Sequence, residues 1–352
     1  MNEALKGFVE RVTAAAASGA AIRLHGGGTK DFYGNELAGE PFDTRAYAGI
    51  VTYEPSELVV TARCGTPLAE LEAALAANDQ MLPFEPPHFG AGATLGGCVA
   101  AGLSGPRRAS AGALRDFVLG ARLLDGRGRV LSFGGQVMKN VAGYDVSRLL
   151  AGSLGTLGVI LEVSLKVLPR PAREASLRLE APEDKAIEWM NQWGGKPLPV
   201  SATCLVNGEL SVRLSGAAAA VRAAREKLGG EELPHAERFW LGLREQTNEA
   251  FSAEAPLWRL SLPSSTPPLR LAGTQLVEWG GALRWLASNA EPRVIREAAR
   301  RAGGHATLFR ARDKSAGAFT PLPPAAARLH RNLKAAFDPA GIFNRGRLYA
   351  DL

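Results

Sequence analysis

Cysteine is scarce in this chain: Cys64, Cys98 and Cys204 are the only three in 352 residues, far apart, with no C-x-x-C pair. The five histidines, His25, His88, His235, His305 and His330, are not paired at ligand spacing either. A zinc or iron–sulfur site within the chain is therefore not expected, and the thiols should stay reduced. No apolar run approaches the ~20 residues that cross a bilayer. Glu3 and Glu10 fall in a helical pattern where a secretory leader would carry a basic start and an apolar block, so the expected location is the cytoplasm. The net charge is +6, but residues 1–170 balance 16 basic against 16 acidic side chains, and the whole excess lies in residues 171–352, with 25 against 19. That excess is thin and not interleaved with aromatics, which argues against a nucleic-acid surface.

Glycine, by contrast, is plentiful and clustered. The length predicts two domains, 1–170 and 171–352. Residues 3–17 place Leu5, Phe8, Val9 and Val12 at helical spacing, and a short strand, 20–24, leads into HGGGTK at His25–Lys30. Three consecutive glycines after a strand can turn several amides toward one point, a nest for phosphate oxygens, although a plain flexible loop fits the same residues. The spacing is not that of a Walker motif. Thr66-Pro67 reads as cap and first turn of a helix carrying Leu68, Leu71 and Leu75. A proline-rich loop, 82–93, runs into Thr94-Leu95-Gly96-Gly97. Gly90-x-Gly92 does not make a Rossmann fingerprint, because Leu95 stands where a small residue belongs and no strand precedes. Gly105-Pro106-Arg107-Arg108 reads as an exposed basic turn, and residues 117–124 and 129–133 as a hairpin. Gly152, Gly155 and Gly158 then recur at every third position before the apolar strand Val159–Val167, marking a surface that the chain does not crowd.

Residues 175–228 give strand, helix, strand, the turn Asn207-Gly208, strand and helix, a ferredoxin-like split β-α-β run. Further strands near 258–262, 275–279, 283–286 and 306–309, with helices at 292–302 and 324–337, complete a second α+β domain. On the helix at 292–302, Arg293, Arg296 and Arg300 fall on one face with Val294, Ile295 and Ala298 inward, which predicts a docking surface for a partner.

Taken in order, HGGGTK, SELVVTARCGTPLAELEAAL, ATLGGCVAAGLSGPRR, KNVAGYDVSRLLAGSLGTLGVI and the closing LKAAFDPAGIFNRGRLYADL resemble the vanillyl-alcohol oxidase / p-cresol methylhydroxylase flavoprotein family over essentially the whole chain. The resemblance implies an α+β fold: a PCMH-type FAD-binding domain of two α+β subdomains, followed by a smaller, ferredoxin-like α+β domain. It implies FAD held by Gly26, Gly27, Gly28 and Thr29 at the pyrophosphate and by Thr94, Gly96 and Gly97 at a second phosphate wall. Gly143, Tyr144, Asp145, Gly155, Gly158 and Ile160 would support the adenosine and flavin side. A bulky residue at Gly158 is expected to meet the ligand. Neither His25 nor Cys98 matches a covalent-linkage position, so noncovalent FAD is expected. The H-x-G-D-G-N run of relatives that oxidise 2-hydroxy acids is absent, and Arg345 replaces a common proline in the closing motif. By resemblance, the chain is an FAD-dependent oxidoreductase subunit of an assembly that oxidises glycolate to glyoxylate. Its implied partners are a larger flavin subunit and an iron–sulfur subunit, with no nucleic acid and at most peripheral attachment to the inner membrane through that complex. A stand-alone 2-hydroxy-acid dehydrogenase and a flavin-free structural subunit are the alternatives.

Overall fold

The strand Val159–Lys166 is buried at every position but its last, as an apolar run of this length demands. It is the central strand of a five-stranded antiparallel sheet in the computed structural model, which describes residues 3–135 and 145–352. The order across the sheet is Ile50–Glu54, Val59–Arg63, Val159–Lys166, Val118–Leu124, Val130–Gly134. On one face, Leu68, Leu71 and Leu75 of the helix Leu68–Ala76 and Leu95 and Val99 of the helix Leu95–Ala101 pack against Val60, Ile160 and Val163. On the other, Leu5, Phe8 and Val12 of the helix Glu3–Ser18 meet Leu124, Val159 and Leu161.

Local signals hold in part. Thr66 is not the cap of the helix that follows it: Pro67 takes the cap position without a side-chain bond, and Thr66 Oγ1 accepts from the Gly49 amide at 2.9 Å. The helix Leu95–Ala101 runs against composition, since each of its two glycines costs about 1 kcal/mol relative to alanine. It forms because Thr94 Oγ1 caps it, accepting from the Gly97 amide at 3.2 Å, and because Leu95, Cys98 and Val99 are buried. The turn at Arg107-Arg108 is not exposed. Arg107 is buried and pairs with Glu85 at 3.3 Å and Glu174 at 2.5 Å, and Arg213 joins Glu85 at 2.9 Å. This cluster ties residues of the first half to two strands of the second.

Residues 173–310 build one eight-stranded antiparallel sheet from two ferredoxin-like units set edge to edge. Its first four strands lie in the order Glu231–Glu232, Arg173–Glu180, Glu209–Gly216, Val200–Val206, with the helices Glu183–Gly194 and Ala218–Leu228. The remaining four, Thr274–Glu278, Leu283–Ala287, Leu257–Ser261 and His305–Arg310, repeat that order in reverse, with the helix Pro292–Arg301. The PSSTPP loop occupies the place of the second unit's first helix, and its Ser264 exchanges hydrogen bonds with Asn191. No sequence repeat announces this structural one. Another helix, Ala236–Glu245, covers the sheet with Trp240 and Leu243 and has no sequence start signal, because its cap residue, His235, is left-handed and makes no side-chain bond.

The basic helix Pro292–Arg301 does not present the expected arginine face. Ile295 and Ala299 are buried, Val294 is half exposed, and Arg296 turns inward, donating to the carbonyls of Ala316 and Gly317 and lying over the Trp258 ring. Arg300 and Arg301 both pair with Glu297 on the same helix.

Glu278 is buried and accepts from Trp285 Nε1 at 2.8 Å. Burial pushes its pKa from 4.5 to about 7. The folded chain therefore holds a proton that the unfolded chain has released between these values, so stability falls as pH rises through that window. A shift of this size corresponds to about 3 kcal/mol at most. Glu278→Gln keeps the acceptor for Trp285 and removes the charge. The variant's melting temperature should exceed the parent's at pH 8, and the gap should close toward pH 4.5. A gap independent of pH would contradict the assignment.

Candidate functional site

The strand Ile22–His25 pairs in parallel with Glu40–Asp43 and delivers His25-Gly26-Gly27-Gly28-Thr29 to the wall of a cavity with about 780 Å³ of empty space, open to solvent. Gly28 has φ +69, the left-handed region that favours glycine. A methyl group on Gly27 would overlap the carbonyl oxygen of Gly92, so the HGGG loop and the end of the proline-rich loop touch backbone to backbone. Among the described residues, no protein acceptor takes the amides of Gly27, Gly28 or Thr29. Three successive amides without a protein acceptor, on one wall of a solvent-open cavity, are free to take an anion as a nest.

The second glycine segment contributes shape more than donors. Thr94, Gly96 and Gly97 line the cavity, but the Gly96 amide donates to Cys64 O at 2.8 Å and the Gly97 amide to Thr94 Oγ1. The third brings Gly155, Gly158 and Ile160 to the same cavity. A Cβ at Gly158, where φ is +151, would lie 2.5 Å from Leu124 O and against Leu123. The expectation that a side chain there meets a ligand is corrected: it would meet the neighbouring strand first.

Asp145 is not among the cavity-lining residues; its carboxylate caps the turn Val146–Leu149 by accepting from the Arg148 amide and Ser147 Oγ. Gly143 and Tyr144 lie outside the described residues. His25 lines the cavity with Nδ1 buried and 3.7 Å from Asp31 Oδ2, without a hydrogen bond. Burial pushes the thiols of Cys64 and Cys98 up to about 12, which leaves both protonated and inert.

Three lining residues, Lys30, Asn344 and Arg347, are not among those assigned from sequence. Lys30 Nζ donates to His88 O at 3.1 Å, and burial lowers its pKa. Asn344 Oδ1 accepts from the Leu24 amide at 2.8 Å and its Nδ2 donates to Leu154 O at 2.6 Å, stitching the first glycine loop's strand to the third glycine turn. The Arg347 guanidinium donates to the carbonyls of Asp31, Tyr33 and Asn35, and burial lowers its pKa to about 10. Lys334 fixes this closing segment, donating to Thr156 O, Asp338 Oδ2 and Phe343 O at 2.7–2.8 Å. Arg345, at the position of the missing proline, reaches Gly19 O at 2.9 Å, so the turn is held by a side chain. The signal for Lys30 was the end of the first glycine motif, and for the others the closing motif, whose residues return from the far end of the chain to line the cavity.

A family model described as an FAD binding domain matches residues 7–134. The chain is 51% identical over 345 residues to glycolate oxidase subunit GlcE of Escherichia coli (strain K12), covering 98% of this chain and 97% of that protein. It is 30% identical over 128 residues to glycolate oxidase subunit GlcD of Bacillus subtilis (strain 168), 36% of this chain and 27% of the relative. It is 31% identical over 187 residues to a D-lactate dehydrogenase of Archaeoglobus fulgidus, 51% of this chain and 41% of that one. A solved alkyldihydroxyacetonephosphate synthase shares the fold, with a TM-score of 0.68 at 15% identity over 96% of this chain and 74% of its own. With the glycine loops of an FAD binding domain converging on one cavity and near full-length identity to an established member, the chain belongs to the glycolate oxidase subunit GlcE family of FAD-binding proteins.

Proposed function

We propose that this chain holds FAD noncovalently and works as the flavin subunit of a glycolate-oxidising complex, alongside a larger flavin subunit and an iron–sulfur subunit. The observation that carries the reading is the cavity wall of three uncommitted amides at Gly27, Gly28 and Thr29, which fits a dianionic pyrophosphate. Gly26–Thr29 would hold the pyrophosphate. Gly155, Gly158 and Ile160 would lie along the ring system, with Thr94, Gly96 and Gly97 shaping the opposite wall. Bound there, FAD supplies two-electron acceptance with onward one-electron transfer. The protein's part is to orient it between the two loops, to complete the wall with Asn344 and Arg347, and to leave the cavity's Cys64 thiol protonated. We place the FAD-binding unit in residues 1–170, with the closing segment of 171–352 completing the cavity wall. No helix among the described residues is long and apolar enough to cross a membrane, and the complex is read as cytoplasmic, peripheral to the inner membrane at most.

Oxidising a 2-hydroxy acid removes a hydride from the carbon and a proton from its hydroxyl, and efficient removal needs a base positioned at that hydroxyl. Within this reading that base belongs to the larger flavin subunit. The purified chain should carry flavin yet reduce an artificial acceptor with glycolate no faster than buffer, and activity should appear when the larger flavin subunit is added. Turnover by the chain alone at the rate of the assembly would make it a stand-alone dehydrogenase.

A further inference from the structure

One loop of the first half backs the amide nest, and the second half holds that loop. Residues 82–93 pass so close behind the HGGG segment that a Cβ added at Gly90 would lie 3.2 Å from Thr29 Cγ2, just as one at Gly27 would overlap Gly92 O. In the same loop, the carbonyl of His88 accepts from Lys30 Nζ at 3.1 Å, and Lys30 lines the cavity. Gly27, Thr29 and Lys30 therefore take their places from a segment that stands behind the cavity wall.

That segment is held against its own backbone preference. Glu85 and Phe89 adopt φ +45 and +55, the left-handed region, which costs a residue with a Cβ about 1–2 kcal/mol. Such conformations persist where surrounding contacts over-determine them. At Phe89 the contacts come from the far half of the chain. The carboxylate of Glu245, the last residue of the helix Ala236–Glu245, accepts from the Phe89 amide at 2.7 Å and from the His88 amide at 3.1 Å. The Phe89 ring packs on Phe32 and Phe309, with centroids 5.4 and 6.3 Å away. Arg244 braces the arrangement, pairing with Glu245 at 2.8 Å and with Glu72 at 3.8 Å, while Glu72 meets His88 Nε2 at 3.0 Å. Two carboxylates, one from each half, thus hold His88: Glu245 by its amide and Glu72 by its ring. We infer that Glu245 is a positioning residue for the flavin site, fixing the loop that aims Lys30 and keeps the amides of Gly27, Gly28 and Thr29 on a common point. Its charge matters, because hydrogen bonds to an ionised acceptor are roughly twice as strong as neutral ones. Since Glu245 lies outside residues 1–170, cofactor affinity is coupled to the docking of the two halves. The inference rests on the flavin reading for the ligand alone.

Two readouts on the purified full-length chain test it. Glu245→Gln keeps an acceptor oxygen and loses the charge, Glu245→Ala loses both, and Glu237→Gln, exposed on the same helix, is the control. In the flavin-free chain, amide hydrogen exchange in peptides covering 84–93 and 25–31 should be faster in Glu245→Ala, less so in Glu245→Gln, and unchanged in the control. Titration with FAD well below the melting temperature should show affinity weakened about 10- to 100-fold by Glu245→Ala, the range of a lost charged hydrogen bond, with Glu245→Gln about 10-fold weaker than the parent. If Glu245→Ala does not fold, Glu245→Gln carries both comparisons. A merely structural role would lower the melting temperature and leave the folded variants with parental FAD affinity, and that result would overturn the inference. Faster exchange confined to 84–93, with 25–31 at the parental rate, would overturn it as well. A parent chain that takes up no FAD, yet shows the coupled exchange at 25–31, would retain the positioning role and reject the flavin reading.

Discussion

Gly27→Ala is expected to give a folded chain stripped of flavin. The added methyl group would overlap Gly92 O, a backbone atom with no rotamer to change, so relief requires separating the HGGG loop from the loop ending at Gly92. That separation moves the amides of Gly27, Gly28 and Thr29 away from any common point. Losing two charge-assisted hydrogen bonds of about 1.5–3 kcal/mol each weakens FAD affinity by roughly 100-fold or more. The five-stranded sheet lies outside the contact, so circular dichroism should stay near the parent's. Gly7→Ala, in the helix Glu3–Ser18 with nothing within 4 Å of the new methyl, is the matched control and should keep full flavin. Parental flavin content in Gly27→Ala would show that the amide nest is not the binding element.

Lys334→Met should be the most destabilising single change in the closing segment. Its ammonium is the cation beside Asp338, whose side chain is fully buried. Methionine would fill the channel of the lysine stem and leave that carboxylate with only the amides of Ile342 and Phe343, at 3.0 and 2.8 Å. Removing one partner of a buried pair costs about 3–5 kcal/mol. Two further carbonyls, Thr156 O and Phe343 O, would lose their donor. Adding Asp338→Asn to Lys334→Met removes the stranded charge, so the double variant should be more stable than Lys334→Met alone in urea or thermal melts. Additive losses would mean that the pair contributes no coupling.

The sequence made the glycine loops legible because each requirement was local: glycines clustered next to a strand or at the start of a helix. What joins them was hidden, since Asn344 reaches Leu24 across 320 positions and Arg347 reaches Tyr33 across 314. The Asn207-Gly208 hairpin and the strands beside it were likewise readable from alternation. The docking of two ferredoxin-like units into one sheet was not, because the edge pairing of Val200–Val206 with Thr274–Glu278 leaves no short-range pattern. The arginines of the helix Pro292–Arg301 show the limit of spacing arguments. Helical periodicity placed Arg296 on a face, but the carbonyls of Ala316 and Gly317, supplied by a distant loop, decided that it turns inward.

The central claim, that one FAD sits noncovalently in the cavity of the three glycine loops, is tested most directly by acid precipitation of the natively purified chain with flavin quantified in both fractions. The expected result is a yellow protein that releases about one FAD per chain into the supernatant, since both neighbouring thiols are held protonated and no covalent attachment is expected. Flavin retained in the pellet would contradict noncovalent binding, and a colourless native chain would contradict the site itself.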